Sequence, residues 1–207
     1  MRKKRAGCFT ALAIIAVIVI LSAAVLSQVE FGYHRSVPAA EAALRDSIVT
    51  TAVDWLGCNE DDNSHIPIVD IYNSHEPLAR GYAVQYDDEW CSTYASAVAI
   101  QCGMTDIVPT ECGCERQIWL FMEIGAWEED DNYIPLPGDY IFYSTEFGNP
   151  GDNTGWSDHI GIVVGVWNNW IKVIEGNNKN AVTYRYIKAG HWIIRGYGIP
   201  DYAGISE

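Results

Sequence analysis

The longest apolar stretch of the chain lies close to its N-terminus, where the 18 residues 9–26 carry no charged side chain. Four basic residues at positions 2–5 precede it. A basic cluster ahead of an apolar run stays on the cytoplasmic side of the membrane, so the chain that follows is expected to be exported. Because such a run is just long enough to cross a bilayer as a helix, residues 1–27 are predicted to be a membrane anchor. Cleavage after Ser27 would instead make them a signal peptide.

Helical spacing of apolar positions marks three later segments. Apolar residues recur at this spacing over residues 38–57, between an N-terminal proline and a C-terminal glycine. A second helix is predicted to begin at residue 91 and run to 103, and a third to span about 115–126. Residues 28–37 are predicted to be a short tether. The polar residues 58–80 are predicted to form an irregular loop that contains no helix.

The pattern changes after the Pro-Gly pair at residues 137–138 to short β-branched and aromatic runs separated by Gly and Asn turns. Five strands are predicted, over residues 139–143, 159–166, 170–175, 181–186 and 192–197. Helices followed by an antiparallel sheet make an α+β fold. We therefore divide the chain into residues 1–27, a region of tether, helix and loop over residues 28–80, and a domain over residues 81–207.

The charge of the chain restricts its partners. The net charge is −14, and without the four leading basic residues 9 Lys and Arg stand against 27 Asp and Glu, a net charge of −18. Such a surface repels phosphate backbones, which argues against nucleic acid as a partner.

Five cysteines follow the apolar run: Cys58, Cys91, Cys102, Cys112 and Cys114. Because the number is odd, at least one thiol stays free even in an oxidising compartment. The Cys-Gly-Cys spacing at 112–114 could belong to a metal site, but no second pair or nearby His completes one, so no metal site is predicted. Buried thiols, or a structural disulfide that involves Cys58 or Cys102, are favoured instead.

Cys91 occupies a position where a thiol is readily activated. It follows a turn-like segment, residues 86–90, and begins the predicted second helix. The partial positive charge at a helix N-terminus lowers the pKa of a thiol and favours the nucleophilic anion. Cys102, deep inside the same helix, fits an inert buried thiol instead.

A base for Cys91 is offered by His159, which heads a predicted strand and can project from the sheet edge towards a helix terminus. The other four histidines lack such a placement. The next strand ends at Glu175, which in a hairpin with the strand of His159 would accept the Nδ1 hydrogen bond and orient the ring. Asn177, two residues later, is a further candidate for this orienting role.

Four short motifs occur in a fixed order: WCSTYA at 90–95, PGDYI at 137–141, DHIGIV at 158–163 and EGN at 175–177. Together they cover about residues 85–200 and resemble the CHAP family of cysteine amidohydrolases and peptidases, which is related to the NlpC-type peptidases. The resemblance implies a papain-like α+β CHAP fold, with N-terminal helices packed on an antiparallel sheet. It implies Cys91 as nucleophile, His159 as base, and Glu175 and Asn177 as the polar groups behind it.

The resemblance also implies a substrate and its subsites. The substrate would be peptidoglycan, cut at the muramoyl–L-alanine amide or in a peptide cross-bridge. Gln85 has the spacing of the oxyanion-hole Gln of papain-like enzymes and would assist the backbone N–H of Cys91. Tyr86, Trp90 and Trp156 are candidates to line the substrate groove. The chemistry requires no cofactor, although some relatives bind calcium near the cleft, where residues 87–89 are acidic.

Several alternatives stay open. The domain could bind the wall without cutting it, as an accessory part of a secretion or conjugation apparatus, although Cys91, His159 and Glu175 together argue for catalysis. It could also be a thiol acyltransferase, because the same thioester serves both reactions. In each case the expected location is the outer side of the cytoplasmic membrane, anchored or secreted to the wall, in a Gram-positive bacterium. An anchor would hold this acidic domain beside an anionic wall that otherwise repels it.

Overall fold

Residues 30–145 and 156–205 are described by a computed structural model. The chain divides into two units, Met1–Phe31 and Gly32–Glu207, and the elements below belong to the second. The predicted anchor or signal peptide lies outside the described residues. Within the described ranges, none of the helices combines the length and the apolarity needed to cross a membrane.

Four α-helices come first in the described chain: α1 (Ala39–Asp54), α2 (Ile66–Asn73), α3 (Cys91–Gln101) and α4 (Cys114–Glu123). The prediction of three of them is confirmed, with ends that differ by up to three residues. The expectation of a helix-free loop over residues 58–80 is wrong, because α2 lies within it. Pro67 stands in the first turn of α2, and the helix buries Ile68, Val69 and Tyr72 on one face.

Six strands follow: β1 (Trp127–Glu128), β2 (Tyr140–Tyr143), β3 (His159–Trp167), β4 (Trp170–Glu175), β5 (Thr183–Lys188) and β6 (Ile194–Gly198). They form one antiparallel sheet in the order β1-β6-β2-β3-β4-β5. The predicted α+β class is therefore confirmed. The two-residue strand β1, which pairs with β6, was not predicted because so short an edge strand carries no readable alternation.

The sheet has an apolar core on each face, as the two-residue period of a strand requires. On one face Phe142, Ile160 and Ile174 pack with the helices, and on the other Tyr143 and Val173 belong to a second cluster. Helix α3 is buried from its first residue through Ala99 and contacts α1, α2 and β3. The N-terminal end of α3 therefore lies against the sheet, and α1 and α2 share its core.

Candidate active site

Cys91 is the first residue of α3, and its side chain is only 7% exposed. The N–H groups in the first turn of a helix have no intrahelical partner, so they concentrate positive potential near this thiol. Hydrogen bonding from Cys114, opposed by burial and aided by His159, holds the pKa of the Cys91 thiol well below its usual range. The structure thus favours a thiolate at position 91.

His159 begins β3 and lies between Cys91 and Glu175. Its Nε2 is 3.1 Å from Oε2 of Glu175, which leaves Nδ1 as the ring nitrogen for the Cys91 side. The sequence had led us to expect the Nδ1 contact with Glu175, so the ring has the opposite orientation. Burial lowers the pKa of His159, but its interactions with Cys91 and Glu175 outweigh burial and raise the pKa to about 10. These two pKa shifts favour a thiolate–imidazolium pair at neutral pH.

Glu175 ends β4 and is fully buried, and its hydrogen-bond partners His159, Asn178 and Arg185 donate to it. Oε2 accepts from His159 and from Nδ2 of Asn178 at 2.8 Å, and Oε1 accepts from Nε of Arg185 at 2.5 Å. Burial raises the pKa of this carboxyl, but His159 and Arg185 outweigh burial and the pKa is lowered. Glu175 is therefore an ionised group that fixes the imidazole ring.

Two aromatic contacts hold these side chains in place. The ring of Tyr143 in β2 stacks on His159 with ring centroids 5.9 Å apart. The guanidinium of Arg185 lies over the Tyr143 ring, 5.1 Å from its centre. Arg185 thus contacts both Glu175 and Tyr143, and each of these contacts His159.

Two glycines let the backbone approach closely at this point. A Cβ on Gly161 of β3 would lie 2.4 Å from Cγ1 of Val173 and 2.8 Å from Cγ of Glu175. A Cβ on Gly176 would lie 2.4 Å from Cβ of Tyr94 on α3. Both distances are shorter than real contacts allow, so glycine at these positions permits β3, β4 and α3 to meet behind the site.

The hydrogen bonds of Asn177 and Gln85 lead to residues other than His159, although Asn177 lines the same cleft as His159. Asn177, at φ 54°, donates from Nδ2 to Oε2 of Glu89 at 2.6 Å, and the adjacent Asn178 is the residue that contacts Glu175. Gln85 is exposed and donates its amide to the carbonyl of Ala83. Neither of these hydrogen bonds joins Asn177 or Gln85 to Cys91, His159 or Glu175.

The three aromatic candidates differ in their surroundings. Trp90 is fully buried, where its Nε1 donates to Glu60 at 2.8 Å, so it belongs to the core and cannot line a groove without rearrangement. Tyr86 is exposed and donates its hydroxyl to Asp70. Trp156 is 59% exposed and meets the ring of Trp119 edge to face at 5.9 Å. Of the three candidates, Trp156 is the most exposed.

An open cleft of about 400 Å³ lies beside His159. Its lining carries both signs of charge: Glu89, Thr145, Asp158, His159, Asn177, Asn178, Lys179 and Arg185. Across the described ranges, no group of three or more His, Cys, Asp or Glu side chains is placed to hold a metal ion. The acidic residues 87–89 do not converge: Asp88 accepts from Tyr82 and Glu89 from Asn177.

Three contacts of the site were not predicted: those of Cys114, Asn178 and Arg185. Cys114 Sγ lies 3.4 Å from Cys91 Sγ, although 23 residues separate the two. Arg185 lies on β5 opposite Val173, and its two-residue spacing from the buried Ile187 was the one signal that could have indicated it. Asn178 sits in a turn whose side-chain directions the sequence pattern does not reveal.

Comparison with known proteins gives structural likeness alone. No protein-family model matches the chain, and no curated protein sequence matches it significantly. One similar solved structure is an NlpC/P60 family protein from Bacillus cereus, with a TM-score of 0.44 and 14% identity over 79% of this chain. Another is that of Ly7917, with a TM-score of 0.42 and 13% identity over 75% of this chain. The chain spans 40% and 62% of their respective lengths.

Proposed function

We propose that this protein is a cysteine hydrolase that cuts an amide bond of peptidoglycan outside the cytoplasmic membrane. The observation that carries the proposal is the series Cys91, His159 and Glu175, in which Cys91 begins a buried helix and the imidazole of His159 lies between the thiol and the carboxylate. The four ordered motifs in the sequence support the same chemistry. The apolar run at residues 9–26 supports the location.

The reaction follows from the geometry in two half-reactions. The Cys91 thiolate attacks the amide carbonyl, and the oxyanion that forms is stabilised by free N–H groups at the start of α3. The His159 imidazolium then gives its proton to the leaving amine, which departs and leaves a thioester on Cys91. In the second half, neutral His159 takes a proton from water, hydroxide attacks the thioester, and the carboxylic product leaves the restored thiolate.

The charges around the cleft support a peptide substrate. Glu89 and Asp158 stand on the same cleft as Lys179, so both an amino group and a carboxylate of a ligand find an opposite charge. A stem peptide of the wall carries both groups. The muramoyl–L-alanine amide and a cross-bridge amide are both compatible with this arrangement, and the products distinguish them.

The test is product analysis with the full chain purified in mild detergent. Wild type, Cys91→Ala and the matched control Cys102→Ala are incubated with peptidoglycan of several wall types, and new amino termini are labelled and identified by mass spectrometry. We expect wild type and Cys102→Ala to release fragments and Cys91→Ala to release none. A new terminal L-alanine identifies an amidase, and a terminus inside the peptide identifies an endopeptidase. Equal release by wild type and Cys91→Ala would refute the assignment of the nucleophile.

If no wall type is cut, the same proteins are offered a stem peptide together with an amine acceptor. A transfer product in place of a hydrolysis product would identify an acyltransferase that uses the same thiol. Wall binding without either product would favour the accessory, non-catalytic alternative.

A further inference from the structure

Two helices begin at the same point of the structure, and each begins with a cysteine. Cys91 is the first residue of α3, an 11-residue helix, and Cys114 is the first residue of α4, a 10-residue helix. Their Sγ atoms lie 3.4 Å apart, and each side chain is 7% exposed. Both are free thiols. The nucleophile of the proposed reaction therefore has a second thiol in direct contact.

We propose that Cys91 and Cys114 form a reversible disulfide, and that this modification closes the active site when a small-molecule disulfide is the oxidant. The disulfide itself is independent of the reaction that the protein catalyses. Its effect on activity rests on the proposed hydrolase function. In this proposal Cys114 is the second thiol of the disulfide, a role that needs its sulfur and that a hydroxyl donor could not fill.

The geometry allows the bond with little movement. A disulfide has a sulfur–sulfur distance of about 2.05 Å, so the two sulfurs must approach by roughly 1.4 Å. We expect rotation about the Cα–Cβ bonds of the two residues to supply this approach. Among the described residues, the hydrogen bonds give Cys114 Sγ one partner, which is Cys91. Cys112, by contrast, contacts Glu111 and lies 3.0 Å from Nη2 of Arg80.

Formation of the Cys91–Cys114 bond by thiol–disulfide exchange consumes one small disulfide, RSSR. The Cys91 thiolate attacks RSSR, which breaks its S–S bond, forms Cys91–S–SR and releases RS⁻. Cys114 then loses its proton to the released thiolate and attacks Sγ of Cys91, which forms the Cys91–Cys114 bond and releases the second RS⁻. Two protein thiols are oxidised and one RSSR is reduced to two thiols. An excess of a reducing dithiol reverses both steps.

The electrostatics of the pair support this order of events. Cys91 is the thiol with the lowered pKa, so it attacks first. The pKa of Cys114 is raised well above its usual range, chiefly by its hydrogen bond with Cys91 and then by burial. Once Cys91 carries SR it is no longer an anion, so that main cause disappears and Cys114 becomes easier to deprotonate. Cys114 therefore acts as the resolving thiol.

The experiment maps the bond in the full chain after treatment with oxidised glutathione. Free thiols are then alkylated, and a protease that cleaves after glutamate separates residues 90–111 from residues 112–115. We expect a cross-linked pair of these peptides, lighter than their sum by two hydrogen atoms, in wild type and in the matched control Cys112→Ser. We expect none in Cys114→Ser or in Cys91→Ser. Cys114→Ala serves as a second variant in case the serine disturbs folding.

Several outcomes would overturn the proposal. A cross-link that persists in Cys114→Ser, a bond closed within residues 112–115, or glutathione retained on Cys91 of wild type without a cross-link would each do so. Wall-hydrolysis rates are measured on the same samples. We expect oxidised wild type to lose its activity and to regain it with dithiothreitol, whereas Cys114→Ser recovers only by removal of a glutathione adduct. If the hydrolase function fails, the peptide map still decides whether the disulfide forms.

Discussion

Replacing Glu175 with Gln tests whether the buried carboxylate maintains the thiolate–imidazolium pair. The carboxylate accepts from His159, Asn178 and Arg185, and all three partners are donors. A carboxamide has one acceptor oxygen and a donor NH₂ group, so at least one donor of the three loses its acceptor. Arg185, whose side chain is 29% exposed, also loses its ion-pair partner, and a hydrogen bond to a charged group contributes about 1.5–3 kcal/mol to the free energy of unfolding.

Glu175→Gln should also slow catalysis. A hydrogen bond between charged groups contributes about 1.5–3 kcal/mol, so loss of the one to the imidazolium should lower kcat/KM by roughly 10- to 150-fold. The pKa of His159, raised to about 10 in wild type, should fall because one of the groups that raise it is gone. Its raised pKa contributes stability that is complete below the unfolded value of 6.5 and is lost as pH rises through about 10.

The assay is the rate at which iodoacetamide alkylates Cys91 as a function of pH. In wild type we expect the upper limit of the thiolate–imidazolium pair near pH 10, and in Glu175→Gln we expect this limit at lower pH. Asn177→Gly is the control, because Asn177 lies nearby in sequence but contacts Glu89, and its positive φ suits glycine. The reasoning is refuted if Glu175→Gln leaves the profile unchanged, or if Asn177→Gly shifts it as much.

Three further changes give separate outcomes. Gly176→Ala should lower the unfolding free energy in urea by about 1–3 kcal/mol, because its Cβ meets Tyr94, whereas Gly32→Ala has open space and should change it little. The lowered pKa of Glu175 contributes stability above its unfolded value that is lost as pH falls through the folded value, so urea unfolding of Glu175→Gln should depend less on pH below about 4. Trp156→Ala should raise KM for wall fragments without changing thermal unfolding, and unchanged KM would contradict a role in binding.

The sequence determines the elements that carry the site more fully than it determines their contacts. The start of α3 at Cys91 was predictable because a turn precedes an almost wholly apolar helix, and β3 and β4 because both are β-branched runs between turns. Helix α2 was not predicted, because eight residues within a polar region give too short a pattern to separate from a loop. The spacing of apolar residues therefore predicts a helix or strand where the pattern is long enough, as in α3, β3 and β4.

The side chains beside His159 depend on turn geometry that spacing does not contain. Asn177, Lys179 and Asn180 all have positive φ, so the chain after β4 turns sharply and successive side chains do not alternate as in a strand. A strand continued to residue 177 would have directed Asn177 and Glu175 to the same face. The turn instead directs Asn178 to Glu175 and Asn177 to Glu89.

The contact of Cys114 with Cys91 depends neither on local spacing nor on a turn, but on how two helices pack together. The sequence shows that Cys112 and Cys114 are close neighbours, which suggests that they share a partner. In the structure Gly113 precedes the first turn of α4 in extended backbone, and the two thiols diverge: Cys112 towards Glu111 and Arg80, Cys114 towards Cys91. The residue with the largest effect on the pKa of the proposed nucleophile is therefore one that only tertiary structure reveals. Cys114→Ser keeps a hydroxyl donor but cannot form a disulfide, whereas Cys114→Ala removes both, so the two variants separate the hydrogen bond from the redox role.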